Sequence, residues 1–295
     1  VLRQPCTTIE DYVEAYIATL PKETPGWRNR EGANVVLQSQ IKGAQRRREA
    51  WKQAKPFWGG LSLADIDAET SQDYQAWRGK ALNTMRHELG VVRSSLAYAH
   101  SKKLIEAVPP VILPAIPPSS VDHLSKADFK RFLTGCSMPH VTLFAILGVT
   151  TGARTTAILQ AKWDQVDWQR CQLNLNPVGA DMDGLKPRVT VALNGRAMDA
   201  LREAKAGATS DYIIEYHGGA VINVRKGIEA AVVRTKIPCH PHMFRHSAAV
   251  WMAEDRVPME EIAAFLGHKN VAITIRIYAR FNPDYLQRAA RSLDW

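Results

Sequence analysis

Five prolines fall within Ala107–Ser120, at positions 109, 110, 114, 117 and 118. Each lacks a backbone donor, fixes its own φ and disfavours helix in the residue before it, so no helix or central strand can run through this stretch. The chain must build its structure on either side of an extended linker, and 295 residues leave room for a domain on each side. We divide it as 1–108, a linker over 109–120, and 121–295.

Upstream of the linker the apolar residues recur at helical spacing over Ile9–Leu20, Glu31–Ala54, Ser71–Arg78 and Ala81–Lys103. In the last of these, Met85, Leu89, Val92, Leu96 and Ala99 mark one apolar stripe. No strand pattern interrupts them, so the first domain is expected to be small and all-helical.

Downstream the pattern mixes. Ser125 is placed to cap a helix through Phe129 and Phe132, Val141–Thr150 reads as a buried helix, and Thr155–Ala161 resumes after a glycine break. Short strand-like pieces follow at Gln165–Asp167, Gln172–Leu175 and Val189–Leu193, with a turn over Gly179–Gly184. Helices return at Ala197–Ala204, Val224–Val233, Met243–Glu254, Met259–Leu266 and Asn270–Tyr278. The expected class is mainly α with a small antiparallel β-sheet in the second domain. The tail from Asp284 is amphipathic through Leu286, Ala289, Ala290 and Leu293, and can dock on its own domain or on a neighbouring copy.

The net charge of +9 is spread over both halves, which makes a polyanion, nucleic acid first, the expected partner. The longest apolar stretch, Val141–Thr150, is far shorter than the ~20 residues of a membrane span, and no start resembles a signal peptide, so a cytoplasmic location is expected. Four widely separated cysteines without a C-x-x-C pair fit a reducing compartment. Cys239, His240, His242 and His246 invite a zinc reading, but they lack the paired ligand spacing of a structural site, and no metal is expected.

The chemistry gathers elsewhere. His242 and Arg245 stand at helical i,i+3 spacing, so imidazole and guanidinium share a face and can reach one phosphate together. His246 shares that general face, and a buried histidine hydrogen-bonded to the backbone is its plainer reading. Tyr278 lies ten residues beyond His268. A phenol ionises near pH 10 and needs a base or nearby cations to act as a nucleophile, which His268 and the arginines can supply. Arg46, Arg47 and Arg48, with Lys42, Lys52 and Lys55 nearby, suggest a basic stripe on a helix, suited to DNA phosphates or to solvent.

Four segments together, Thr151-Gly-Ala-Arg154, His242-Met-Phe-Arg245-His246, Leu266-Gly-His268 and Ile277-Tyr-Ala-Arg280, resemble the dispersed active-site boxes of the tyrosine recombinases, in particular the phage-type integrases. Leu82–Ile105 is similar to a helix of that family's core-binding domain, and Asn282-Pro-Asp-Tyr-Leu286 resembles the segment after its nucleophile.

The resemblance implies a two-domain DNA clamp, with a helical, SAM-like core-binding domain over 1–108 and the catalytic domain over 121–295. It implies a site-specific recombinase that needs neither metal nor ATP, acts on double-stranded DNA as a homo-tetramer and can work with an accessory DNA-bending protein to integrate or excise a mobile element. Arg154 and Arg245 would hold the scissile phosphate, His242 and His268 would hydrogen-bond it or shuttle a proton from Tyr278, and Tyr278 would attack it. The family's hairpin lysine, which protonates the departing 5′-oxygen, corresponds to Lys186, with Met182 or Leu185 as the alternative alignment. Ala157 departs from the acidic residue often found three positions after the first arginine. A hydroxyl of Thr155 or Thr156 would then help to orient Arg154.

Overall fold

The computed structural model describes residues 8–22, 35–117, 121–176 and 189–294. Among the described residues the chain separates into two compact units, one up to Pro117 and one from Val121 onward.

The first unit is helical: α1 Ile9–Ala18, α2 Val35–Trp58, α3 Thr70–Arg78 and α4 Leu82–Ser101. A capping box starts α1, in which the Asp11 carboxylate accepts from the Thr8 amide at 3.0 Å and the Thr8 hydroxyl accepts from the Asp11 amide. Helices α1 and α2 pack on α4 around Val13, Ala54, Trp58, Leu89, Val92 and Leu96, all of them buried. The sequence pattern ended α2 at Ala54, yet the helix continues through Pro56. The proline lies within the last turn, and burial of Trp58 beyond it holds that turn in place.

Inside this unit Glu88 is 2% exposed and ionically paired. It accepts from the Tyr74 hydroxyl at 2.6 Å and from Arg78 Nη2 at 3.0 Å, so the buried carboxylate is both hydrogen-bonded and neutralised.

The proline-rich stretch carries neither helix nor strand as far as Pro117, but its first half is not a free connector. Val111 and Leu113 join the first unit's core, Ser71 Oγ accepts from the Ile112 amide at 2.9 Å, and Arg86 donates to the Pro114 carbonyl at 2.7 Å. Apolar side chains between the prolines gain more from burial than from solvent, which draws the strap onto the helices.

The second unit contains α5 Lys126–Thr134, α6 Pro139–Thr151, α7 Thr155–Leu159, β1 Val166–Asp167, β2 Gln172–Asn174, β3 Thr190–Ala192 and α8 Gly195–Ala206. After them come β4 Glu215–Tyr216, β5 Gly219–Ala220, α9 Arg225–Thr235, α10 Met243–Glu254, α11 Met259–Leu266, α12 Val271–Tyr278 and α13 Gln287–Arg291. Strands β1, β2 and β3 form one antiparallel sheet in that order, with Leu173 opposite Val166 on one side and Val191 on the other. The β4–β5 hairpin was not expected from the sequence. Its strands are two residues each, and the turn is made by His217 and Gly218, both at positive φ.

Helix α6 is apolar on every side and forms the centre of this unit, packed against α8 and α10. Gly148 allows the close approach to α10, since a Cβ there would lie 2.8 Å from that of Phe244. The next box residue, Gly152, ends α6 at φ +58°, a left-handed conformation suited to glycine.

Candidate active site

Pro241 keeps the chain out of helix until Met243, and His242 becomes the N-cap of α10. One turn in, Arg245 points back into the domain and is only 4% exposed. Its Nη1 donates to the Gly152 carbonyl at 2.7 Å, using an acceptor left over at the end of α6. Nη2 lies 2.9 Å from His268 Nε2. A guanidinium can only donate, so Nε2 is the acceptor, the ring proton resides on Nδ1, and Nδ1 donates to Thr274 Oγ1 at 2.8 Å. The positive-φ Gly267 that ends α11 delivers His268 to this position.

Arg154, Thr155, Thr156, His242, Arg245 and His268 line one cleft of about 340 Å³. Among the described residues no carboxylate forms an ion pair with Arg245. Burial, reinforced by the charge of Arg154, pushes its pKa down to about 10. The same burial, followed by the charges of Arg245 and Arg154, pushes His268 down to about 4 and leaves it neutral at pH 7. His242 is lowered too, by desolvation first and then by His246 and Arg245. A buried cation without an anionic partner is costly, and this arrangement is suited to receiving an anion from solution. A larger cleft of about 580 Å³, lined by Leu143, Trp163 and Glu215 among others, shares none of these lining residues.

Tyr278 closes α12 and is 2% exposed, packed in a cluster with Val250, Ile262 and Leu266. Burial pushes its pKa up to about 12, partly opposed by the charge of Arg245. The hydroxyl lies 2.7 Å from His246 Nδ1. The ring of His246 also meets that of His242 edge-on, with centroids 4.8 Å apart. His246 was expected to bond to the backbone. Its partner is instead the phenol, because the packing of α12 on α10 brings Tyr278 over the first turn of α10. The sequence had no means of pairing residues 32 positions apart, nor of singling out Thr274 behind His268.

Thr155 and Thr156 line the cleft beside Arg154, and Ala157 faces the core at 4% exposure. Lys186, its alternatives Met182 and Leu185, and the turn over 179–184 lie outside the described residues. On α2 the three arginines do not form a stripe. Successive helical residues are ~100° apart, and while Arg46 and Arg47 are exposed, Arg48 turns inward to donate to the Leu20 and Pro21 carbonyls, each at 3.0 Å. No helix among the described residues is long and apolar enough to cross a membrane. No group of three or more His, Cys, Asp or Glu among them is placed to hold a metal ion.

The description "Phage integrase family" matches residues 123–284. The integrase of Salmonella phage P22 is 25% identical over 232 residues, spanning 72% of this chain but 58% of that protein. Tyrosine recombinase XerC of Xanthomonas axonopodis pv. citri is 25% identical over 267 residues, 81% of this chain and 84% of that one. Among solved structures, the Tn1549 transposon integrase in complex with a circular intermediate DNA superposes with a TM-score of 0.75 at 12% identity, over 98% of this chain and 100% of that chain. A lambda integrase tetramer bound to a Holliday junction gives 0.69 at 16% identity, over 98% and 79%. With a family match over more than half its length, and with arginines, histidines and a tyrosine gathered at one place in that region, the chain belongs to the phage integrase family of tyrosine recombinases.

Proposed function

We propose that this chain is a site-specific DNA recombinase that cuts and rejoins double-stranded DNA through a 3′-phosphotyrosyl link to Tyr278. The observation that carries this reading is the cationic cleft, in which Arg245 is held by Gly152 and His268 without an anionic partner among the described residues, while the phenol lies one histidine away. Arg154 and Arg245 hold the scissile phosphate and stabilise charge on its non-bridging oxygens as the fifth oxygen arrives. His242 and His268 hydrogen-bond the same oxygens. The phenolic oxygen of Tyr278 forms the new bond to phosphorus, the bond to the 5′-oxygen breaks, and Lys186 protonates that oxygen. A 5′-hydroxyl from a partner duplex reverses the attack, so one phosphodiester replaces another and no external energy source or metal is needed.

Exchange between two duplexes takes four such cleavages, which calls for a homo-tetramer on the DNA. In this reading 1–108 is the core-binding domain and 121–295 the catalytic domain, joined through 109–120. The exposed Arg46 and Arg47 contact phosphates, and an accessory bending protein assists integration or excision of a mobile element. A second reading, a weakened DNA-binding accessory protein, draws on Ala157, whose buried side chain offers Arg154 no carboxylate.

Incubation with a pool of nicked duplexes of randomised sequence separates the two. Such substrates lose the short 5′-hydroxyl strand after cleavage and trap the covalent adduct. Wild-type protein is expected to form an adduct that Tyr278→Phe cannot form. Binding to DNA without any adduct would establish the accessory reading.

A further inference from the structure

We propose that His246 is the group that takes the proton from Tyr278 during cleavage and returns it on rejoining. The proposal rests on the recombinase reading above and adds a residue to it.

The geometry singles out this imidazole. Its Nδ1 lies 2.7 Å from the phenolic oxygen, within reach of a direct proton transfer. With Nδ1 assigned as the acceptor, the phenol O–H has its partner and the ring's own proton resides on Nε2. The other imidazole of the buried site is committed elsewhere, since both nitrogens of His268 are engaged, by Arg245 and by Thr274. His242 lines the phosphate cleft and meets His246 only through the rings.

The surroundings of His246 suit the task. Desolvation, followed by the charge of Arg245, disfavours its protonated form. The ring is therefore neutral and able to accept near pH 7. The segment before α5 is fastened to α10, because the Leu124 amide donates to Ser247 Oγ at 2.9 Å and Trp251 Nε1 donates to the Leu124 carbonyl at 2.8 Å. The same segment reaches past the nucleophile, where His123 meets Phe281 edge-on with centroids 5.2 Å apart. Phenol and imidazole thus follow the logic of a nucleophile and its base.

The step balances without a further reactant. The phenolic proton passes to Nδ1, the oxygen's electron pair forms the bond to phosphorus, the bond to the 5′-oxygen breaks, and that oxygen takes its proton from the acid on its own side. In rejoining, Nδ1 returns the proton as the tyrosyl oxygen leaves.

The test uses the full chain and whichever nicked duplex the randomised pool yields as a substrate. His246→Asn retains an acceptor near the Nδ1 position but cannot carry a proton. We expect adduct formation to slow about 100-fold, with DNA binding and melting temperature retained. Replacing Tyr278 by 3,5-difluorotyrosine, whose phenol ionises more readily, should restore at least about tenfold of that loss in the Asn variant and accelerate wild type far less. His246→Asn within about threefold of wild type, with an unchanged pH profile, overturns the proposal and leaves the recombinase reading intact. A slow Asn variant that gains no more than wild type from fluorination also overturns it, since the ring would then only position the phenol. A wild type that forms no adduct removes both readings.

Discussion

Arg245 and His268 meet across 2.9 Å, and the bond fixes the proton arrangement of both partners. The guanidinium donates, the imidazole accepts through Nε2, and the remaining ring proton is directed to Thr274. The free chain therefore holds a neutral His268 with no proton available for a phosphate oxygen until Nε2 is itself protonated.

Thr274 is fully buried and its hydroxyl faces His268 Nδ1. Thr274→Val keeps the volume and leaves the ring donor unpaired, a loss of about 1–3 kcal/mol. The expected result is adduct formation about tenfold slower or worse, with DNA affinity little changed. Single-turnover cleavage of a trapped nicked duplex measures it.

Gly152 positions the carbonyl that holds Arg245, and it does so at φ +58° with Leu266 Cδ2 only 2.7 Å from where a Cβ would stand. Gly152→Ala strains the backbone and pushes against α11, at a cost of about 1–3 kcal/mol. Denaturant unfolding should show that loss of stability, accompanied by reduced cleavage.

With His268 pushed down to about 4, its folded form binds a proton less readily than the unfolded chain, whose histidine titrates near its ordinary value. As pH falls from about 6.5 towards 4, the unfolded state takes up more protons and stability declines. DNA works in the other direction, because a phosphate beside the ring favours the imidazolium. Binding should take up protons near pH 6, measurable by calorimetry in buffers of different ionisation enthalpy, and His268→Gln should reduce that uptake.

In the helical unit, Arg78 neutralises a carboxylate that is 2% exposed. Arg78→Leu leaves Glu88 charged and buried, for a loss of about 3–5 kcal/mol. The companion change Glu88→Gln with Arg78→Leu should recover much of that loss, and thermal melting of the single and double variants checks it.

What could be read in the sequence was local. The helices on each side of the linker follow from apolar spacing, and the i,i+3 placement of His242 and Arg245 brings both to one cleft as the helical repeat requires. Contacts made by the fold between distant positions could not be read in this way. Arg245 reaches Gly152 across 93 residues and His268 across 23, and no periodicity encodes either pairing. Arg48 shows the reverse error, since a run of like charges suggested one exposed face and the helical rotation turned one member inward to bond the chain after α1. Val111 and Leu113 were hidden among prolines, where the backbone rule was legible and the burial of the side chains was not.

Tyr278 is packed among Val250, Ile262 and Leu266 and is as buried as Leu266 of its cluster. Replacement of such a ring by a small side chain opens a void worth about 3–5 kcal/mol. A lineage that lost the reaction could not discard the aromatic ring without also weakening the domain. Under the proposed mechanism phenylalanine is then the easiest route to inactivity, and the hydroxyl, rather than the ring, separates a working copy from a silent one.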